Sequence, residues 1–185
     1  MKLPYVPKGF TLVELIIVIV VIAILATIGV ISYNGIQANA RDTKIRAAAE
    51  HVQDALEIYI AQNGRRPRGG WGSTSGLSGG DCANGADGWF AKSTYTCTPE
   101  EVLVAANLIS SNLISGLPPN KIIGNSSVYV FMLYGCTATS IALMWYLEKP
   151  SAADTASYDN SVGIKCPNQN FRTNYGMQAA TVIDF

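Results

Sequence analysis

Glu14 is the only charged side chain between Phe10 and Ala40. An ionised carboxylate at a bilayer centre costs about 2.5 to 3.5 kcal/mol on insertion scales, so an acid at the mouth of so apolar a stretch needs water or a cation beside it. Other reactive side chains are sparse. His51, the single histidine, has no second ligand at a fixed spacing and reads as a surface or core-edge residue. Asp81, Asn84 and Asp87 offer oxygens, but the stretch lacks the full pattern and closing Glu of a calcium loop, so they read as turn residues. With no G-x-S-x-G, no C-x-x-C and no paired-ligand motif, the chain is expected to be no enzyme and to use no metal or cofactor. Four cysteines, Cys82, Cys97, Cys136 and Cys166, are expected to form two disulfides. Three connectivities are open; Cys82 with Cys97 and Cys136 with Cys166 is preferred because neighbours close the shorter loops.

The elements that hold these residues begin with the apolar run. Hydrophobic residues make up 49% of the chain and charged ones only 14%, against roughly 25% charged in ordinary soluble domains. From Leu15 to Ala26 every residue is Leu, Ile, Val or Ala. As a helix, Phe10 to Ile31 would reach about 33 Å, against a hydrocarbon core of roughly 30 Å. Lys2 and Lys8 precede the run and uncharged Ser32 to Ala40 follow it, which places the N-terminus in the cytoplasm and the remaining domain outside. A cleaved secretory signal is a poor fit, because the stretch is long and Ala23-Ile24-Leu25-Ala26 lacks small-x-small spacing.

Lys8-Gly9-Phe10-Thr11-Leu12-Val13-Glu14-Leu15-Ile16 resembles the class III signal of type IV pilins and pseudopilins. The resemblance implies cleavage between Gly9 and Phe10 by a membrane prepilin peptidase, and N-methylation of the new Phe10 amine. Gly9 has no Cβ, which lets the backbone enter a narrow cleft in a strained or extended form. Glu14 becomes the fifth residue of the mature chain, and the family implies that it pairs with the Phe10 amine of a neighbouring subunit during assembly. Unit charges 4 Å apart attract by about 4 kcal/mol at an effective dielectric of 20, so each lowers the other's burial cost. Gly29, Asn34 and Gly35 weaken the helix locally; the proline that many type IV pilins carry in this part of the helix is missing here.

Ile45, Ala48, Val52, Ala55, Leu56, Tyr59 and Ile60 recur at spacings of three and four, so the helix is expected to continue amphipathically to about Gln62, with Asn63-Gly64 as its stop. Gly69 to Gly88 has loop composition. Thr98-Pro99-Glu100-Glu101 predicts a capped helix from Pro99 to about Leu108. Ser127 to Tyr134 and Ser140 to Lys149 read as strands joined through Gly135 to Thr139, with Val162 to Cys166 and Tyr175 to Ile183 as candidates to complete the sheet. The fold class is therefore α+β: a long N-terminal helix, transmembrane in its first half and amphipathic in its second, packed on a small antiparallel β-sheet in pilin-like fashion. The expected organisation is a cleaved leader at 1–9, an assembly helix at 10–35 and an extracellular head at 36–185. On that side oxidation is favoured, and the Cys136–Cys166 pair would resemble the C-terminal disulfide loop of many pilins. Asn125-Ser126-Ser127 fits a glycosylation pattern that chance explains well enough.

The resemblance implies a structural subunit of a filament serving adhesion, twitching motility, aggregation or DNA uptake. Its partners would be membrane lipid before assembly, prepilin peptidase, the pilus assembly platform, and copies of itself or other pilins. A type II secretion pseudopilin, or a membrane-tethered binding module that does not polymerise, are the alternatives. Lysines and arginines balance acids, with 13 of each, so a DNA contact would have to come from a local patch; Arg65, Arg66 and Arg68 form the one dense basic cluster, and a solvated loop is the simpler account of it.

Overall fold

The computed structural model describes residues 9, 11–68, 77–78, 81–82, 88–90, 97–114, 116–117, 131–166 and 169–185. Two compact units divide between Ala38 and Asn39. Helix α1, Leu12–Asn63, contributes to both.

In the second unit, α1 buries Ile45, Ala48, Val52, Ala55, Leu56, Tyr59 and Ile60, the same stripe that its spacing predicts. The helix ends where Asn63 Nδ2 donates to the Tyr59 carbonyl at 2.9 Å and the Gly64 N–H donates to Ile60 at 2.8 Å. Gly64 has φ +65°, the left-handed conformation that glycine adopts without penalty at this cap.

A four-stranded antiparallel sheet runs in the order β3 (Gly88–Trp89), β4 (Phe131–Thr137), β5 (Ser140–Trp145) and β6 (Ala179–Asp184). The short strands β1 (Leu77–Ser78) and β2 (Asp81–Cys82) pair separately, so part of the expected Gly69–Gly88 loop is extended and hydrogen-bonded. Alternation along β4 and β5 sends Phe131, Leu133, Ile141 and Leu143 into the core shared with α1. Met132, Ala142 and Met144 join a second core with Tyr158, Val162, Phe171, Met177 and Ala180. After Ser140, β5 therefore reads as an apolar run from Ile141 to Trp145, because both its faces are covered.

The second core corrects one expectation. Val162 to Cys166 is not a strand but the end of helix α3, Ala152–Lys165. Ser151 and Asp154 form a reciprocal capping box at its start, and Tyr158 and Val162, one turn apart, bury the same face. Helix α4, Phe171–Tyr175, follows and ends at Gly176 with φ +70°, so the last strand begins at Ala179 rather than Tyr175.

Other boundaries move for local reasons. β4 continues through Gly135 to Thr137, leaving a two-residue turn before Ser140, with Thr137 and Ser140 hydroxyls 2.6 Å apart. β5 stops at Trp145 instead of Lys149, because the backbone N–H groups of Glu148 and Lys149 donate to the Asp42 carboxylate at 2.9 and 2.7 Å and not to a neighbouring strand. α2, Pro99–Ala105, has the expected Thr98/Glu101 capping box but ends short of Leu108, with Asn107 at φ +58°. Residues 127–130, Asn84, Asp87 and the Asn125-Ser126-Ser127 pattern lie outside the described residues.

Candidate functional site

The apolar start of α1 is organised by its own first turn. Glu14 Oε2 accepts from the Thr11 N–H and from the Thr11 hydroxyl, both at 2.8 Å, while the Glu14 N–H donates to Thr11 Oγ1 at 3.3 Å. This is a reciprocal capping box, and a negative charge at the N-terminal end of a helix also meets the favourable end of its dipole. Both bonds fall on Oε2. Among the described residues Oε1 accepts no hydrogen bond. The Thr11-x-x-Glu14 spacing is a capping signal visible in the sequence, and it adds Thr11 to the residues expected there.

Gly9 is exposed, and a Cβ added to it would meet nothing within 4 Å. Nothing in the described chain demands glycine at that position. Phe10 lies outside the described residues.

From Leu12 to Ile28 the large apolar side chains are exposed all round, from 46% at Ile16 to 74% at Leu12. Water is a poor solvent for such a surface; lipid or a bundle of like helices is a good one. Thr27 does not interrupt it, because its hydroxyl donates to the Ala23 carbonyl at 2.7 Å. Among the described residues no helix is long and apolar enough to cross a membrane. The described side chains from Leu12 to Ile28 cover roughly 25 Å, somewhat short of the hydrocarbon thickness.

In the second unit the cysteines pair as Cys82–Cys97 and Cys136–Cys166, with Cα separations of 5.8 and 4.7 Å. His51 is exposed on α1. Among the described residues no group of His, Cys, Asp or Glu could hold a metal ion. The basic cluster is divided by the fold. Arg65 and Arg68 are exposed, whereas the Arg66 guanidinium lies against β4, where a Cβ on Gly135 would come within 1.5 Å of its Nη1.

A charged cluster that sequence reasoning missed fastens the loop between β5 and α3. Asp42, 1% exposed, takes the two N–H groups already described. Arg41 grips Glu148 through two bonds of 2.7 Å, and Arg46 grips Asp154 at 3.0 and 2.7 Å. The Arg46 hydrogen bond, aided by those from Ser151, holds the Asp154 carboxyl down at a pKa of about 2 despite partial desolvation. The bond from Arg41 likewise lowers the Glu148 pKa. Partners lie more than a hundred positions apart in the chain, and no local pattern announces them.

Residues 7–30 match the family model of the prokaryotic N-terminal methylation motif, which is the class III signal of type IV pilins and pseudopilins. The motif implies processing by a prepilin peptidase, polymerisation of pilin type in general, and membrane anchoring before assembly. No curated protein and no solved structure matches the chain.

Proposed function

We propose that the chain is a structural subunit of a type IV pilus-like filament, held in the cytoplasmic membrane by its apolar helix with the N-terminus inside. Prepilin peptidase cuts between Gly9 and Phe10, and the new Phe10 amine is methylated. The helix then leaves lipid for a bundle of like helices, an exchange that keeps its apolar surface away from water throughout. In this reading the chain is the substrate of processing enzymes and catalyses nothing itself. The sequence supplies the length that the described side chains lack, since Gly29, Val30 and Ile31 continue the uncharged run.

The observation that carries the reading is the processing motif at residues 7–30 combined with a Glu14 carboxylate whose Oε2 is capped by Thr11. An acid so placed on an apolar rod suits pairing with a neighbour's amine. Surface filaments of this kind serve adhesion, motility or DNA uptake; exposed Arg65 and Arg68 are the residues through which a DNA contact would act. Microscopy and mass spectrometry of fibres sheared from cells test the reading. The expected result is abundant chain beginning at methylated Phe10; processed chain that stays wholly in the membrane, with no fibres, would favour a tethered binding module.

A further inference from the structure

We infer that a groove beside the C-terminal end of α1 receives the β5–α3 loop of a second copy of this chain. The inference rests on the polymerising subunit proposed above and specifies one of its contacts. The groove has a volume of about 370 Å³ and is lined by Glu57, Ile60, Ala61, Ile183 and Phe185. Its lining is mostly apolar, with one carboxylate along α1. Gln53 Nε2 donates to Glu57 Oε1 at 3.0 Å and fixes that carboxylate without neutralising it. Asp184 also borders the groove, but its charge is met by Lys165.

The complementary surface is the loop from Glu148 to Ser151 with the first two residues of α3, Ala152 and Ala153, exposed at every position yet held at both ends. Asp42 binds its first two backbone N–H groups, Arg41 binds Glu148, and Arg46 binds Asp154 just beyond it. A surface loop fixed in this way has lost its freedom before any partner arrives, so docking it carries little further ordering cost. It presents the Lys149 cation beside Pro150, Ala152 and Ala153: one positive charge with small apolar neighbours, against one negative charge in an apolar groove. The Glu148 charge is occupied by Arg41 and does not oppose the contact.

A loop cannot fill the groove of its own copy. It is fastened to α1 at Arg41 to Arg46, whereas the groove forms at Glu57 to Gly64, roughly 20 Å further along the helix axis. Two unlike, complementary surfaces at opposite ends of one unit make a heterologous contact, which propagates from copy to copy instead of closing as a symmetric pair.

The test uses the full-length chain in cells that display its fibres, with a photo-cross-linking phenylalanine derivative placed at Ala61. The expected product is a covalent dimer whose second peptide contains residues 148–153. Glu57→Lys and Lys149→Glu are each expected to lower the yield of sheared fibre by about fivefold, and the double variant to restore it. Fibres at normal yield with adducts elsewhere, or with none, would overturn the docking while leaving the filament reading intact. So would a double variant as poor as either single one. A native chain that forms no fibres at all removes both.

Discussion

Thr11 and Glu14 divide labour that either could not perform alone. Thr11→Ala removes one acceptor and one donor from the first turn of α1, a loss of about 1 kcal/mol for a capping residue. Amide exchange over Leu12 to Leu15 in detergent micelles should rise about fivefold, a readout independent of assembly. Glu14→Val removes the only charge in the apolar run, so it should insert and be processed normally yet fail to polymerise. Immunoblots of membrane and sheared fractions check this, and normal fibre yield from that variant would remove Glu14 from assembly. At Gly9 the chain itself leaves room for a side chain, so Gly9→Val should fold unchanged and accumulate with its leader attached, as intact-mass measurement will show.

At the scale of elements, the fastening of α3 to α1 is the feature with the clearest energetic consequence. Asp42→Ala removes the carboxylate that accepts from the Glu148 and Lys149 N–H groups, hydrogen bonds to a charged group worth about 1.5 to 3 kcal/mol each. A lowered melting temperature with unchanged processing is expected, because the first turn of α1 is untouched. Asp154 gives the cluster a pH signature. Its carboxyl is held at about 2 in the folded protein against 3.8 ordinarily, so its stabilising effect is complete above pH 3.8 and is lost as pH falls through 2. The difference corresponds to about 2 kcal/mol. Circular dichroism through that window should show Asp154→Asn with a flatter acid limb than the native chain. The helix stripe and the capping of α2 were legible because their signals are local and periodic. α3 was not, although its Ser151/Asp154 capping box is as local a signal as that of α2, because Val162 and Ile164 resemble strand residues. Likewise, β5 ends early because of Asp42, whose role is written nowhere near Lys149.

For the molecule as a whole, the sequence disclosed the processing signal almost completely, since it depends on residue type and short spacing. The preferred cysteine pairing was available from loop length, and the structure has those same two pairs. The second core, the β5–α3 fastening and the placement of Arg66 were hidden, because each depends on segments that only folding brings together. The Cys136–Cys166 link joins β4 to the end of α3 and closes the larger loop. Replacing both cysteines with serine should lower unfolding free energy by about 2 to 5 kcal/mol. Chemical denaturation of the detergent-solubilised chain measures it, and an unchanged midpoint would show that the hydrophobic contacts of α3 suffice.

The helical layer over the second face of the sheet separates skin from skeleton. Ala156 and Asn160 point to solvent from α3, while Tyr158 and Val162 face the strands. Outward positions can therefore drift in size or polarity without disturbing strand register, so one scaffold can wear many exteriors.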